Sequence, residues 1–190
     1  MIYVSDSRLP QYDPNSSAYA QFPDALKQIV DRGSDIGSDA AGPLAVAINF
    51  PRSDSYLAAQ ALLALGPSAT SVAIPTLIDN LHSEKSEVRI YSVVLLGSIG
   101  KAASCSVGEI APLLWDSNPR VRSAAALSLE KITERDLVSR EYEITITPSF
   151  LARLVPEDSV YGSIVNRARN WWNEEGSEVN WHPSYGICDP

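Results

Sequence analysis

The feature that most constrains this chain is an internal repeat in its middle third. Three segments, 53–66 (SDSYLAAQALLALG), 86–100 (SEVRIYSVVLLGSIG) and 119–133 (PRVRSAAALSLEKIT), align on Leu65, Ile99 and Ile132, at sequence offsets of 34 and 33. Three, four and seven positions before each anchor stand Leu62, Ala61 and Ala58, then Leu96, Leu95 and Ser92, then Leu129, Ser128 and Ala125. Eleven positions back stand Asp54, Val88 and Val121. This spacing places one apolar stripe on one side of a helix. Its small residues allow neighbouring helices to approach closely.

A second helix is expected before each of these, at 40–50, 72–81 and 107–115, with Pro43, Pro75 and Pro112 near their starts. Proline suits a first turn because the N–H it lacks has no partner there. Short links join the pairs, HSEK at 82–85 and DSN at 116–118. One amphipathic pair cannot bury its own apolar side, but successive pairs stacked together can, so the pattern predicts an all-α stack. The 22–33 segment, opened by Phe22-Pro23-Asp24 and closed by Gly33, reads as the second half of an incomplete leading unit. Residues 1–21 read as an extended polar arm, 22–133 as the repeat region, and 134–190 as a capping segment. Within the last, 141–147 alternates and reads as extended, Pro148 opens a short helix to Leu154, and 160–173 forms a further helix ending near Gly176.

The residues Pro75, Leu77, Val88, Arg89, Leu96, Gly97, Ile99 and Gly100, followed by Asp116, Pro119, Val121, Arg122, Ala125, Leu129 and Ile132, resemble HEAT-type repeats of the short bacterial kind. The resemblance covers roughly residues 38–133, and Asp54 departs from it where later units carry valine. It implies a right-handed α-solenoid of about three helical hairpins with a non-repeat C-terminal cap. It also implies that Arg89 and Arg122 meet a carboxylate from an adjoining turn, Asp79 or Asp116, as a structural ladder, with capture of an anion the alternative. RARNWWNEEG (167–176) resembles the ends of some small HEAT-repeat proteins, which implies that Trp171 and Trp172 seal the last repeat, with an exposed aromatic anchor for a partner the alternative.

Charge and chemistry narrow the function. The chain carries 15 Lys+Arg against 23 Asp+Glu, a net −8, and a phosphate backbone needs a basic face. Nucleic acid is therefore not an expected partner, and the DNA-glycosylase branch of HEAT-like proteins is disfavoured. By segment the net charge is −3 over 1–66, 0 over 67–133 and −5 over 134–190. No apolar run approaches the ~20 residues that span a bilayer, and the N-terminus lacks the pattern of a signal peptide. No membrane partner and a cytoplasmic location are expected. Of the two cysteines, Cys105 and Cys188, two thiols are the expected state, with a single bridge the alternative. His82 and His182 sit in no metal-ligand spacing. No metal or cofactor is expected, and no catalytic motif is evident. The leading expectation is a non-enzymatic protein–protein interaction module. An alternative is an enzyme-associated protein similar to bilin-lyase subunits, with Cys105 as a weak candidate nucleophile.

The partner surface is expected on the second helices, which line the concave side in HEAT-like solenoids. Its stripe is read as Tyr56/Gln60/Ala64, Ile90/Val94/Ser98 and Ser123/Leu127/Lys131. Tyr56, Gln60, Ile90, Val94, Leu127 and Lys131 are the candidate partner-binding residues. An uncovered apolar row of this kind would be a sticky groove. It is filled either by a partner peptide or helix or by the chain's own aromatic tail, with Tyr161, Trp171, Trp172, Trp181 and Tyr185.

Overall fold

The computed structural model describes residues 22–32, 38–50, 52–137, 161–179 and 181. The expected N-terminal arm, the extended 141–147 stretch, the 148–154 helix, Cys188, His182 and Tyr185 lie outside them. Among the described residues there are helices and turns and no strand.

The long helices are α1 (Phe22–Arg32), α3 (Arg52–Leu65), α6 (Ser86–Ile99), α8 (Pro119–Thr133) and α9 (Tyr161–Glu174). Each packs against the next in chain order, so they form one row, α1–α3–α6–α8–α9. Shorter helices lie against the row: α2 (Ala41–Ala47) on α3, α5 (Ile74–Asn80) on α6, and the 3₁₀ segment Ala111–Trp115 on α8. The core therefore sits between two layers. It contains every aligned anchor (Leu65, Ile99, Ile132) and every small residue seven back (Ala58, Ser92, Ala125).

The second layer is more broken than a pair of continuous helices would be. Before α5 come a single turn, α4 (Pro67–Thr70), and the 3₁₀ turn Ser71–Ala73. The expected 107–115 helix divides into α7 (Val107–Ile110) and the 3₁₀ segment. Pro75 and Pro112 stand at the joints, where a missing N–H prevents one α-helix from running through.

Helix α6 is the centre of the row. Residues 88, 90, 92–97 and 99 are all buried, because α3 and α8 flank it and α5 underlies it. The helical run Ser86–Trp115 is long and apolar enough to pass for a membrane span, yet 61% of its most apolar window is buried inside the fold. Burial in a multi-helix core explains that composition. Against α8 the approach is close. A Cβ on Gly97 would lie 2.5 Å from Ser128 Oγ, and Ser128 Oγ donates to Val93 O at 2.9 Å.

Polar contacts set the register of the units. Arg89 donates from Nη1 to Ser83 O and Glu84 O, closing its own hairpin turn. Its Nε and Nη2 form a two-point pair with Asp116 at 2.8 and 2.9 Å, with both side chains largely buried. Of the two carboxylates that the sequence offers, Asp116 is the partner. In the first unit Ser55 stands in the arginine's place, and its Oγ donates to Ile48 O. There the link to the second unit is made by Asn80, which donates to Ala45 O and accepts from Asn49 Nδ2 at 2.8 Å, and by Lys85 Nζ, which donates to Asn49 O. Asp54 is buried.

At the far end α9 repeats the same stripe, with Trp171, Ala168 and Ile164 all buried. Trp171 follows Ile132 at a longer interval than the one that separates the earlier anchors. Its ring meets those of Trp172 and Trp181, with centroids 6.0 and 5.9 Å away. Arg169 lies over the Trp115 ring and donates from Nε and Nη2 to Leu114 O. Cys105 is disulfide-bonded rather than a free thiol, which corrects the expectation for that residue. The chain's other cysteine is Cys188.

Each of the three central row helices is followed by a residue of positive φ. Gly66 and Gly100 follow α3 and α6 with φ of +82° and +71°, and Glu134 follows α8 with φ +56°. The three positions are evenly spaced along the chain. A left-handed backbone favours glycine and costs other residues about 1 kcal/mol. Glu134 also meets Lys101 at 3.2 Å, but that pair is exposed and adds little. Glu134→Gly is therefore expected to raise stability by about 0.5–1 kcal/mol in a urea titration. A loss of stability would contradict this account of how α8 ends.

Candidate functional site

The partner-binding residues are expected on the concave side, along the solvent-facing line of the row helices. Helix α3 presents Tyr56, Leu57, Gln60 and Ala64, all half-buried. Gln60 Nε2 donates to Tyr56 Oη at 2.7 Å. Tyr56 faces Tyr91 of α6, with ring centroids 6.5 Å apart and planes tilted by 55°. One turn before Tyr91 on the same helix is Glu87, which is exposed and accepts from Ser86 Oγ at 3.3 Å. Lys131 is exposed on α8.

The expected stripe needs correction at three residues. Ile90, Val94 and Leu127 are 5%, 1% and 5% exposed and belong to the core. A helix inside a row loses solvent on both flanks, which leaves little more than a single line of residues open. On α6 that line holds Glu87, Tyr91 and Ser98, so the stripe drawn through Ile90 and Val94 is rotated by one position. Leu127 is covered because α8 has α6 on one side and α9 on the other. Tyr56, Gln60 and Lys131 remain at the surface, and Tyr56 and Gln60 are joined there. Tyr91 is the surface residue that the sequence reasoning missed. A signal for it exists, since it occupies in its repeat the place of Leu57 and lies one helical turn after Glu87.

Burial raises the Tyr91 phenol above its ordinary value near 10, and the negative charge of Glu87 and the neighbouring Tyr56 add to the shift. The neutral phenol is thus the form held against Tyr56 across the physiological range. The surface where α3 meets α6 combines two aromatic faces, an amide and a carboxylate. Such a set can pack against a side chain and accept its hydrogen bonds.

Among the described residues no cluster of three or more His, Cys, Asp or Glu side chains converges as a metal would require. His82 and Glu109 approach to 3.4 Å, both well exposed.

Stacked helices sharing one core define a helical-repeat protein. Residues 74–140, about a third of the chain, match the family model for HEAT repeats, so this stretch is similar to HEAT repeats. The match begins at Ile74, after the unit in which Asp54 and Ser55 break the pattern. Searches of curated proteins and of solved structures gave no match.

The burial of Ile90 and Val94 fixes what their replacement does. Changing both to Asp places two carboxylates in the core, at a cost of roughly 4 kcal/mol or more. The expected result is a collapse of the thermal transition. A variant that melts like the parent chain would show that this side of α6 is open.

Proposed function

We propose that the chain is a protein-binding module. Its three HEAT-like hairpins stack as a right-handed solenoid, and a partner protein or peptide docks on the concave face, along the solvent-facing line of α3, α6 and α8. The single observation that carries this reading is the Tyr56–Tyr91 pair, with Gln60 and Glu87 beside it, in the middle of that surface. Tyrosine offers a large contact area at little cost in side-chain freedom, and tyrosines are enriched where partners bind tightly. The HEAT-type match supports the reading, because repeats of this class commonly mediate protein interactions. The role proposed is binding rather than catalysis. Net charge −8 favours a protein surface over nucleic acid as the partner.

The bond at Cys105 bears on location. Structural disulfides persist in oxidising compartments, so it weighs toward such a compartment and against the cytoplasmic placement expected from the sequence.

The test compares the full chain with a Tyr56→Ala, Tyr91→Ala variant in affinity capture from the native host, after circular dichroism has shown equal helicity. A specific partner retained by the parent and lost from the variant is the expected result. Loss of two central aromatic contacts at an interface weakens binding by roughly 100-fold. Identical capture by both chains would remove this surface from the account.

A further inference from the structure

The middle unit departs from its neighbours at two positions on the face of α6 that meets solvent. Tyr91 stands where the first unit has Leu57 and the third has Ala124, and Glu87 stands where they have Ser53 and Arg120. The flanking units stack without a tyrosine or a carboxylate at these places, so packing alone does not call for the pair. Four residues apart on one helix, Glu87 and Tyr91 lie on the same face, one above the other. Helix α6 thus presents a carboxylate beside an aromatic ring, and Tyr56 of α3 adds a second ring with its centroid 6.5 Å from the first.

Each part of this set favours a cation. The face of an aromatic ring carries negative potential and attracts a positive group lying over it. Glu87 is exposed, and its charge reaches the neighbouring phenol, where it adds to burial in raising Tyr91. Gln60 braces the Tyr56 ring by donating from Nε2 to its Oη. The two cations nearest to Glu87 in the sequence serve the fold. Asp116 holds Arg89 in a two-point pair, and Lys85 donates to Asn49 O. The chain as a whole carries net −8, which draws a basic segment toward it at long range. Arginine fits this set better than lysine. Its flat guanidinium stacks on a ring while its edge gives two parallel N–H groups to a carboxylate.

We propose that the surface where α3 meets α6 takes an arginine side chain of a partner protein, its guanidinium over the Tyr91 ring beside Tyr56 and its edge on the Glu87 carboxylate. This rests on the reading of that surface as a docking site and adds the chemistry of what docks there, a basic segment anchored by arginine. Leu57 and Ala124 offer no ring in the neighbouring units, so the site accommodates one such anchor rather than a regular series.

The probe is acetyl-Gly-Arg-Gly-amide. The control is the same peptide with citrulline, which keeps the shape of arginine and loses its charge. Each is titrated into the full chain while the ring signals of Tyr56 and Tyr91 are followed by nuclear magnetic resonance. Both rings should shift saturably with the arginine peptide, and the citrulline peptide should bind at least about fivefold more weakly. Glu87→Gln, checked for folding by its thermal transition, should weaken the arginine peptide by a similar factor. Tyr91→Phe, which keeps the ring, should bind like the parent chain, and Tyr91→Leu, which carries the first unit's residue, should bind more weakly. Equal response to the two peptides would overturn the proposal. So would no response, or an arginine response that Glu87→Gln leaves unchanged. If the peptides fail in one of these ways while the Tyr56→Ala, Tyr91→Ala variant still loses its captured partner, the docking surface stands and its basic occupant is wrong. If that variant also captures as the parent does, the surface itself fails.

Discussion

Helix α6 cannot exist in water by itself, and the rest of the structure follows from that constraint. Val88, Ile90, Val93, Val94, Leu95, Leu96 and Ile99, half of its length, are buried apolar side chains. Each is worth roughly 1.5–3 kcal/mol when removed from water. No single neighbour can cover a helix that is apolar on so many sides. Helices α3, α5 and α8 do so together, and each of them then has an apolar flank of its own to hide. The row is the solution, and α1 and α9 stand at its two ends.

Apolar burial alone would let the layers slide, since it has no direction. Polar contacts at the unit boundaries fix the register. The Arg89–Asp116 pair ties the second turn to the third, Asn80 ties the second unit to Ala45 and Asn49 of the first, and Ser128 ties α8 to Val93. These groups are largely buried and answered by partners, which is the condition for a polar contact inside a core to specify one arrangement. Ser92 is an exception among the described residues: its Oγ is buried with no hydrogen-bond partner. The equivalent positions carry Ala58 and Ala125.

The repeat is legible because burial in a helix leaves a periodic trace. The anchors Leu65, Ile99 and Ile132 and their partners at three, four and seven positions can be read directly; the resemblance to HEAT repeats supplies a carboxylate for Arg89, which meets it, and for Arg122, which bonds backbone oxygens of Asp116 and Ser117 instead. The solvent-facing side is harder to read. In a helix buried on nearly every side, apolar residues stop marking one direction, so Ile90 and Val94 look the same as a surface stripe. Tyr91, a residue that can serve either environment, does not stand out. The stripe of α9 is hidden by its longer spacing from Ile132. Pro75 and Pro112 read as helix starts, which they are, but the shortness of the helices that they begin depends on the turns before them.

Amide hydrogen exchange of the intact chain, resolved by helix, tests the central claim most directly. If α6 is stable only through the neighbours that cover it, its amides open with the whole fold and exchange slowest, while those of α1 and α9 at the ends of the row exchange faster. Exchange in α6 as fast as in α1 would mean that its apolar sides are not shared with α3 and α8, and the stacked arrangement would be wrong.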